Sequence, residues 1–580
     1  MQKLTIRWIL TWLLCYCMII QACKPNREDQ EFNLKIRLAE EPDCIHPILS
    51  QSGIAPQIEA LIMPALFEYY GPEMKLTPIL VKELGSAISN TDSSISYQYE
   101  FLDGATWDNG KALSTIDLEF TLKAAMNPYI SNNTWRGFIK NIVSLESSVN
   151  DPQRFQITVK KGYIFSREIS GSYNLYPEYF YDASHLLRSF TLHDLIHKDS
   201  ASFTEQEHQL LRKHADLFQS DSFCKHSIHG AGAYRLVSWQ AGSKIILEKK
   251  NDWWGQKYQD QFISLKAYPD RIEYWILPDE LTALNAIKDG SIDLTANINP
   301  NQFIALKSES SSSNSLQFAT PILMQYYFIE INHRRPGLED VRVRRALAHL
   351  LDLDGFIKNH MQGLAQRSIG PVHPSLPYYN ANIKAPTYDP NEAKKLLAEA
   401  GWSDSNGDGI LDKTSQGKFT SLSFKLLVSG KELGKNLGTL LKEEAKKVGI
   451  QIELENKDWS LILKDFNSRN FDLATAVSSQ APSLWDPYQS WHSSNAGVGG
   501  SNRGGFGNVE TDRLIELIRT TSDEKARKEA YLKFQEILAK EQAQIFLFTP
   551  LGRMVYNHRI TLQAHSLKPG YTEALIQINQ

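Results

Sequence analysis

The sequence predicts a multi-domain α/β protein, on three observations. At 580 residues the chain exceeds what one hydrophobic core organises, so at least two domains are expected. Its 42% hydrophobic and 22% charged residues are those of a soluble globular protein. From Leu34 onward, strand and helix patterns interleave, most plainly between 418 and 455. There Leu422, Phe424 and Leu426 alternate as in a strand. A helical stripe follows through Leu433, Leu437, Leu440, Leu441, Ala445 and Val448, with Gly449 at the C-cap position. Ile450, Ile452 and Leu454 then alternate with polar residues and complete a β-α-β unit.

The chain opens differently. Lys3 and Arg7 precede an apolar run from Trp8 to Ile20, which is too short to span a bilayer and has the size of a secretory hydrophobic region. It ends in Ile20-Gln21-Ala22-Cys23, which resembles the bacterial lipobox. That resemblance implies a signal peptide over 1–22, cleavage before Cys23 and lipidation of its thiol, giving a membrane-anchored, extracytoplasmic lipoprotein. The polar residues 23–33 read as a tether. Cys44 and Cys224 then remain as one disulfide or as two buried thiols, since spacing does not report proximity.

Along the remaining chain, Trp107-Asp108-Asn109-Gly110 reads as a tight turn. Residues 163–229 read as a mostly helical subdomain. Ser308 to Ser315 reads as a surface loop, and Ile322–Ile331 as a strand passing between domains. Asp340 caps a helix that buries Val343, Leu347, Leu350 and Leu351, with Arg342 and Arg345 outward, where they are solvated or internally paired rather than ligand-binding. Asp389-Pro390-Asn391-Glu392 supplies an N-cap, a first-turn proline and a capping-box glutamate for a helix ending at Gly401.

Five segments, in order, resemble the oligopeptide- and dipeptide-binding proteins of bacterial ABC importers (extracellular solute-binding proteins, family 5). They are YQYEFLDGATWDNGKALSTIDLEFTL (97–122), GAGAYRLVSWQAGSKIILEKKNDWWG (230–255), LNAIKDGSIDL (284–294), NHRRPGLEDVRVRRALAHLLD (332–352) and YDPNEAKKLLAEAGW (388–402). The resemblance implies a two-lobe periplasmic-binding-protein-like fold with two hinge crossings and a ligand enclosed between the lobes. Lobe I is expected over 34–321 and 541–580, and lobe II over 322–540. It also implies a monomer that hands a peptide or other small solute to membrane permease subunits, without catalysis and without a cofactor.

Three segments are expected to line the cleft: Gln51, Gly53 and Ile54 after His46-Pro47; Gln325, Tyr326, Tyr327 and Glu330 on the crossing strand; and Ser483, Trp485 and Asp486 in the loop 478–487. Each aromatic here is either a ligand platform or core. Family members that bind peptides commonly place an aspartate about four residues before the proline of that loop, against the ligand's ammonium. Here Ala481, Pro482 and Ser483 stand near that position, all neutral. Either Asp486 or Glu330 then takes over, or the ligand has no free amino terminus. An oligosaccharide receptor using Trp485, Trp491 and Tyr326, or a sensor without a transporter, is the alternative.

Other motifs carry less. Asp404 to Asp412 begins like a calcium loop, but Ser415 stands where the bidentate glutamate belongs, which favours a plain turn. His193 and His197 are four residues apart without the partners of a zinc site, and no metal is expected. No nucleophile elbow, phosphate loop or dinucleotide fingerprint is present. A net charge of −4 gives no reason to expect nucleic acid. Replacing Cys23 by serine should leave the protein unprocessed or release it from the membrane fraction, as read by fractionation and intact mass.

Overall fold

The structure is a computed structural model that describes residues 31–89, 93–131, 133–148, 151–310, 315–415, 417–430, 432–521 and 523–579. The apolar leader and Cys23 lie outside them. Among the described residues no helix is long and apolar enough to cross a membrane.

Leu34, Ile36 and Leu38 alternate along the first strand, Asn33–Leu38, and all three are buried. This strand is the middle of a seven-stranded sheet, between Arg271–Ile276 and Leu294–Thr295, and is parallel to both. Lys244–Lys249 and Tyr234–Gln240 extend one side; Met554–Asn557 and Leu316–Ala319 extend the other. A separate four-stranded antiparallel sheet contains Ser94–Glu100 and Asp151–Lys160. The 163–229 region is helical as expected, with Glu205–Phe218 its longest helix. Its buried aromatics join the core of the seven-stranded sheet.

The second sheet has six strands in the order Ala365–Arg367, Ile545–Pro550, Gln325–Ile331, Leu473–Ser479, Ser423–Ser429 and Gln451–Lys457. Its last two strands are parallel and joined by the helix Glu432–Lys446, the β-α-β unit expected from periodicity. Gly449 ends that helix at φ +83°, a left-handed conformation that suits glycine. The strand begins later than the alternation implies, because Lys418–Ser421 pairs with Asp412–Ser415 in a small hairpin. Asp389 caps its helix by accepting from the amides of Asn391 and Glu392, both at 3.0 Å.

Two further expectations shift. The helix Pro300–Ser310 takes up the first three residues assigned to the serine-rich loop. The return to the first lobe also comes later than residue 541: Ile545–Pro550 is hydrogen-bonded between Gln325–Ile331 and Ala365–Arg367, inside the second sheet. Its residues are all buried, so the apolar run belongs to the core it completes. The chain therefore passes between the sheets at 319–325 and 550–554. The two passages pair with each other through Leu323 N–H to the Pro550 carbonyl (3.1 Å) and Gly552 N–H to the Pro321 carbonyl (2.7 Å).

Cys44 and Cys224, 180 residues apart, form a disulfide. It ties the loop before the helix Ala55–Ile62 to the end of the helical subdomain. Closing so long a loop removes much freedom from the unfolded chain. Replacing both cysteines by alanine should cost about 2–5 kcal/mol of stability, read as a lower urea midpoint.

Candidate functional site

A cavity of about 620 Å³ opens between the sheets. Most of its wall belongs to the seven-stranded-sheet side: Tyr69 and Tyr70, Trp135 and Phe138, Phe165 and Tyr173, Trp253 and Trp254, and Tyr571. From the six-stranded side it receives Gln480, Ala481, Pro482 and Ser483, the loop that follows Leu473–Ser479. Aromatic walls with a few polar groups, placed between two lobes, are the usual make-up of a small-ligand site.

The charged lining comes from the first lobe. Glu68, Glu168 and Glu573 face the cavity together with Lys266 and Lys568. Burial pushes the carboxyls of Glu68 and Glu573 up to about 7. It also raises that of Glu168, against the opposing hydrogen bond from the Tyr69 hydroxyl at 2.9 Å. These three carboxyls escaped sequence reasoning, since they lie far apart in the chain and match no motif.

The expected site residues divide. Ser483 lines the cavity, and its carbonyl accepts from the Tyr378 hydroxyl at 2.9 Å. Gly53 is at the rim: a side-chain carbon there would lie 3.2 Å from Lys568 Nζ. Ile54 precedes the helix Ala55–Ile62 and packs on the first core. Gln51 is exposed, held by its amide to Asp43 at 2.8 Å.

The crossing strand does not face the cavity. It is central in its sheet, with helices over both faces, so alternate side chains enter two different cores. Tyr326 and Phe328 go to one core and Ile329 and Ile331 to the other, while Tyr327 stacks on Phe548 with ring centroids 5.1 Å apart. Gln325 is satisfied by the Ser479 hydroxyl at 3.2 Å. Glu330 is buried in the second lobe, accepting from Gln544 Nε2 at 2.8 Å. Burial raises its carboxyl to about 7, opposed by the charges of Arg503 and Arg469.

The end of the loop turns inward too. Trp485 packs on Tyr531 and Phe534 while staying partly exposed, and Trp491 and Tyr326 are buried, so those two offer no ring to a sugar. Asp486 pairs with Arg519 at 3.0 Å and caps the amide of Tyr488 at 2.9 Å. Its carboxyl is raised by burial and pulled back by Arg519. Two arginines of the helix Val341–His349 are paired within the chain though partly exposed: Arg342 pairs with Asp340 at 2.6 Å, and Arg345 donates to the Lys540 carbonyl at 2.9 Å.

The motif that begins like a calcium loop folds as a turn. Asp404 accepts from the amides of Gly407 (2.7 Å) and Gly409 (3.0 Å), so this carboxylate closes its own turn. The rings of His193 and His197 lie 4.7 Å apart, and among the described residues no three metal-ligating side chains come together.

Asp486→Asn should therefore act on stability. It leaves Arg519 half-buried and unpaired, at a cost of about 1–3 kcal/mol in a denaturant titration. The ratio of affinities for a free and an amino-acetylated peptide, measured by calorimetry, should stay unchanged.

The family model described as bacterial extracellular solute-binding proteins, family 5 Middle, matches residues 75–502. The oligopeptide-binding protein AppA of Bacillus subtilis is 23% identical over 568 residues, covering 95% of each chain. The periplasmic oligopeptide-binding protein OppA of Salmonella typhimurium is 29% identical over 326 residues, 54% of this chain and 53% of that one. Among solved structures, AppA from Bacillus subtilis in complex with a nonapeptide aligns with a TM-score of 0.73 at 22% identity, over 95% of this chain and 99% of that one. NikA from Brucella suis in complex with Fe(III)-EDTA reaches 0.75 at 18% identity, over 94% and 100%. The fold is that of the two-lobe binding proteins, and the chain belongs to the bacterial extracellular solute-binding proteins, family 5.

Proposed function

We propose that this chain is the substrate-binding lipoprotein of an ABC importer, capturing oligopeptide-like solutes between its lobes and presenting them to permease subunits. The observation that carries this reading is the aromatic cavity between two sheets joined by one pair of crossing segments. Such a joint lets two rigid bodies close over a ligand with rotation confined to a few residues. Peptide is the favoured class because AppA and OppA, relatives over 95% and 54% of the chain, are named for oligopeptide binding. The lobes would run from 34 to about 321 with the segment from about 554, and from about 322 to 550.

Binding without chemistry is part of this reading, and its support is the solute-binding character of the family and of AppA. A monomer held outside the cytoplasm by a lipid on Cys23, behind the tether 23–33, completes the reading. Its support is the lipobox-like sequence and the family's extracellular character.

Ligand that bridges the lobes should lower the radius of gyration and raise the melting temperature by mass action. Native mass spectrometry of the purified protein against a mixed peptide digest identifies the ligand, and small-angle scattering with it measures closure. No peptide retained, or no compaction on binding, would overturn the reading.

A further inference from the structure

The cavity holds more negative charge than its second-lobe wall accounts for. Gln480, Ala481, Pro482 and Ser483 are uncharged, while Asp486 and Glu330 are committed to Arg519 and Gln544. The carboxyls come from the first lobe, and they are not equivalent. Glu168 already accepts from Tyr69 at 2.9 Å, and Glu573 from Tyr274 at 3.2 Å. Glu68 makes no side-chain hydrogen bond and no ion pair among the described residues; burial alone perturbs it.

The position of Glu68 is fixed by its strand. Phe67–Tyr70 pairs antiparallel with Lys75–Pro78, placing Glu68 opposite Thr77. Phe67 is fully buried against Tyr99, with ring centroids 5.6 Å apart, and anchors the backbone while Glu68 lines the cavity. Glu68, Tyr70 and Glu573 line the same cavity, and both carboxylates oppose ionisation of the Tyr70 hydroxyl.

Among the described residues none of the cavity's basic groups pairs with Glu68. His565 is held down to about 4 by burial and is uncharged near neutrality. Lys266 and Lys568 line the same space, with Lys568 reaching towards Gly53 at the rim. An unpartnered carboxylate in a desolvated wall is costly when charged, and a ligand cation removes that cost. Rings such as Trp253 and Tyr70 favour a cation flanked by apolar surface.

We propose that Glu68, backed by Glu573, is a cation subsite in the first-lobe wall, and that the cleft selects ligands carrying an ammonium group beside aromatic or aliphatic bulk. The subsite rests on the solute-binding reading above and adds the ligand's charge. The ammonium has two sources, a free peptide amino terminus or a basic side chain.

Calorimetry on the purified full chain and on Glu68→Gln distinguishes them, with Leu-Phe-Leu, N-acetyl-Leu-Phe-Leu and N-acetyl-Lys-Phe-Leu as probes. Phenethylammonium and its neutral analogue phenethyl alcohol serve as non-peptide probes. Glu68→Gln should weaken the cationic probes about tenfold or more and leave the neutral ones unchanged. Sensitivity confined to Leu-Phe-Leu assigns the terminus, and sensitivity confined to the acetylated lysine peptide assigns the side chain. Because the raised carboxyl must ionise to hold a cation, binding of phenethylammonium, charged throughout, should weaken from about pH 8 to about pH 5.5, and more steeply in the parent than in the variant, which keeps Glu573.

A fold defect in the variant would show as a lower melting temperature at about pH 5.5, where Glu68 is itself protonated; equal melting there is expected. Unchanged affinity of Glu68→Gln for every cationic probe, or binding by the parent of neither Leu-Phe-Leu nor N-acetyl-Lys-Phe-Leu more tightly than N-acetyl-Leu-Phe-Leu, overturns the subsite and leaves peptide binding standing. Glu68-dependent binding of phenethylammonium with no peptide bound would overturn the peptide reading alone. No discrimination between phenethylammonium and phenethyl alcohol, with no peptide bound, overturns both.

Discussion

The rest of the molecule depends on the pairing of its two crossing segments. Leu323 and Gly552 each donate one backbone hydrogen bond to the opposite passage, and this short antiparallel contact is where the chain moves from one sheet to the other. Each sheet builds most of its core from its own helices, as the clusters around the strands Asn33–Leu38 and Gln325–Ile331 do, with Ile164 of the first lobe reaching into the second. A side-chain carbon at Gly552 would come within 3.2 Å of Pro321, so the two passages lie too close for a larger residue without adjustment. What remains between the cores is a space walled by loops and helix ends of both lobes.

Much of the architecture was legible because its signals are local. The Leu437–Val448 stripe, the cap at Asp389 and the left-handed Gly110 and Gly449 all fold as their neighbours dictate. What the sequence blurred was membership. The run Ile545–Pro550 is equally apolar whichever sheet claims it, and the claim is settled by partners more than 170 residues away in the chain, at Ala365–Arg367 and Gln325–Ile331. Pairing between Cys44 and Cys224 was open for the same reason.

The site was less legible. The neutral loop Gln480–Ser483 could be placed at the cleft from its family-like context, and it is there. The residues next to it misled, because an aromatic or a carboxylate beside a cleft reads the same in sequence whether it faces ligand or core. Trp485 went to Tyr531, Asp486 to Arg519, and Tyr326 and Glu330 to the faces of a strand covered on both sides. Glu68 lay in the unremarked run Phe67-Glu68-Tyr69-Tyr70. Nothing about a single glutamate in a four-residue strand announces that 505 positions later Glu573 will share its wall.

The lobes also touch outside the cavity lining. Arg519 sits over the Tyr163 ring at 5.5 Å, Asn299 donates to Glu432 at 3.2 Å, and Gln362 donates to Asn301 at 2.7 Å. These residues do not line the cavity, so whatever free energy their contacts contribute to a closed state is common to every cargo. Residues such as Tyr163 and Asn299 thereby set a general gain on affinity, whereas the cavity wall sets preference among cargoes. Evolution can retune how tightly such a receptor holds everything without altering what it chooses, and the two adjustments are written in separate parts of the chain.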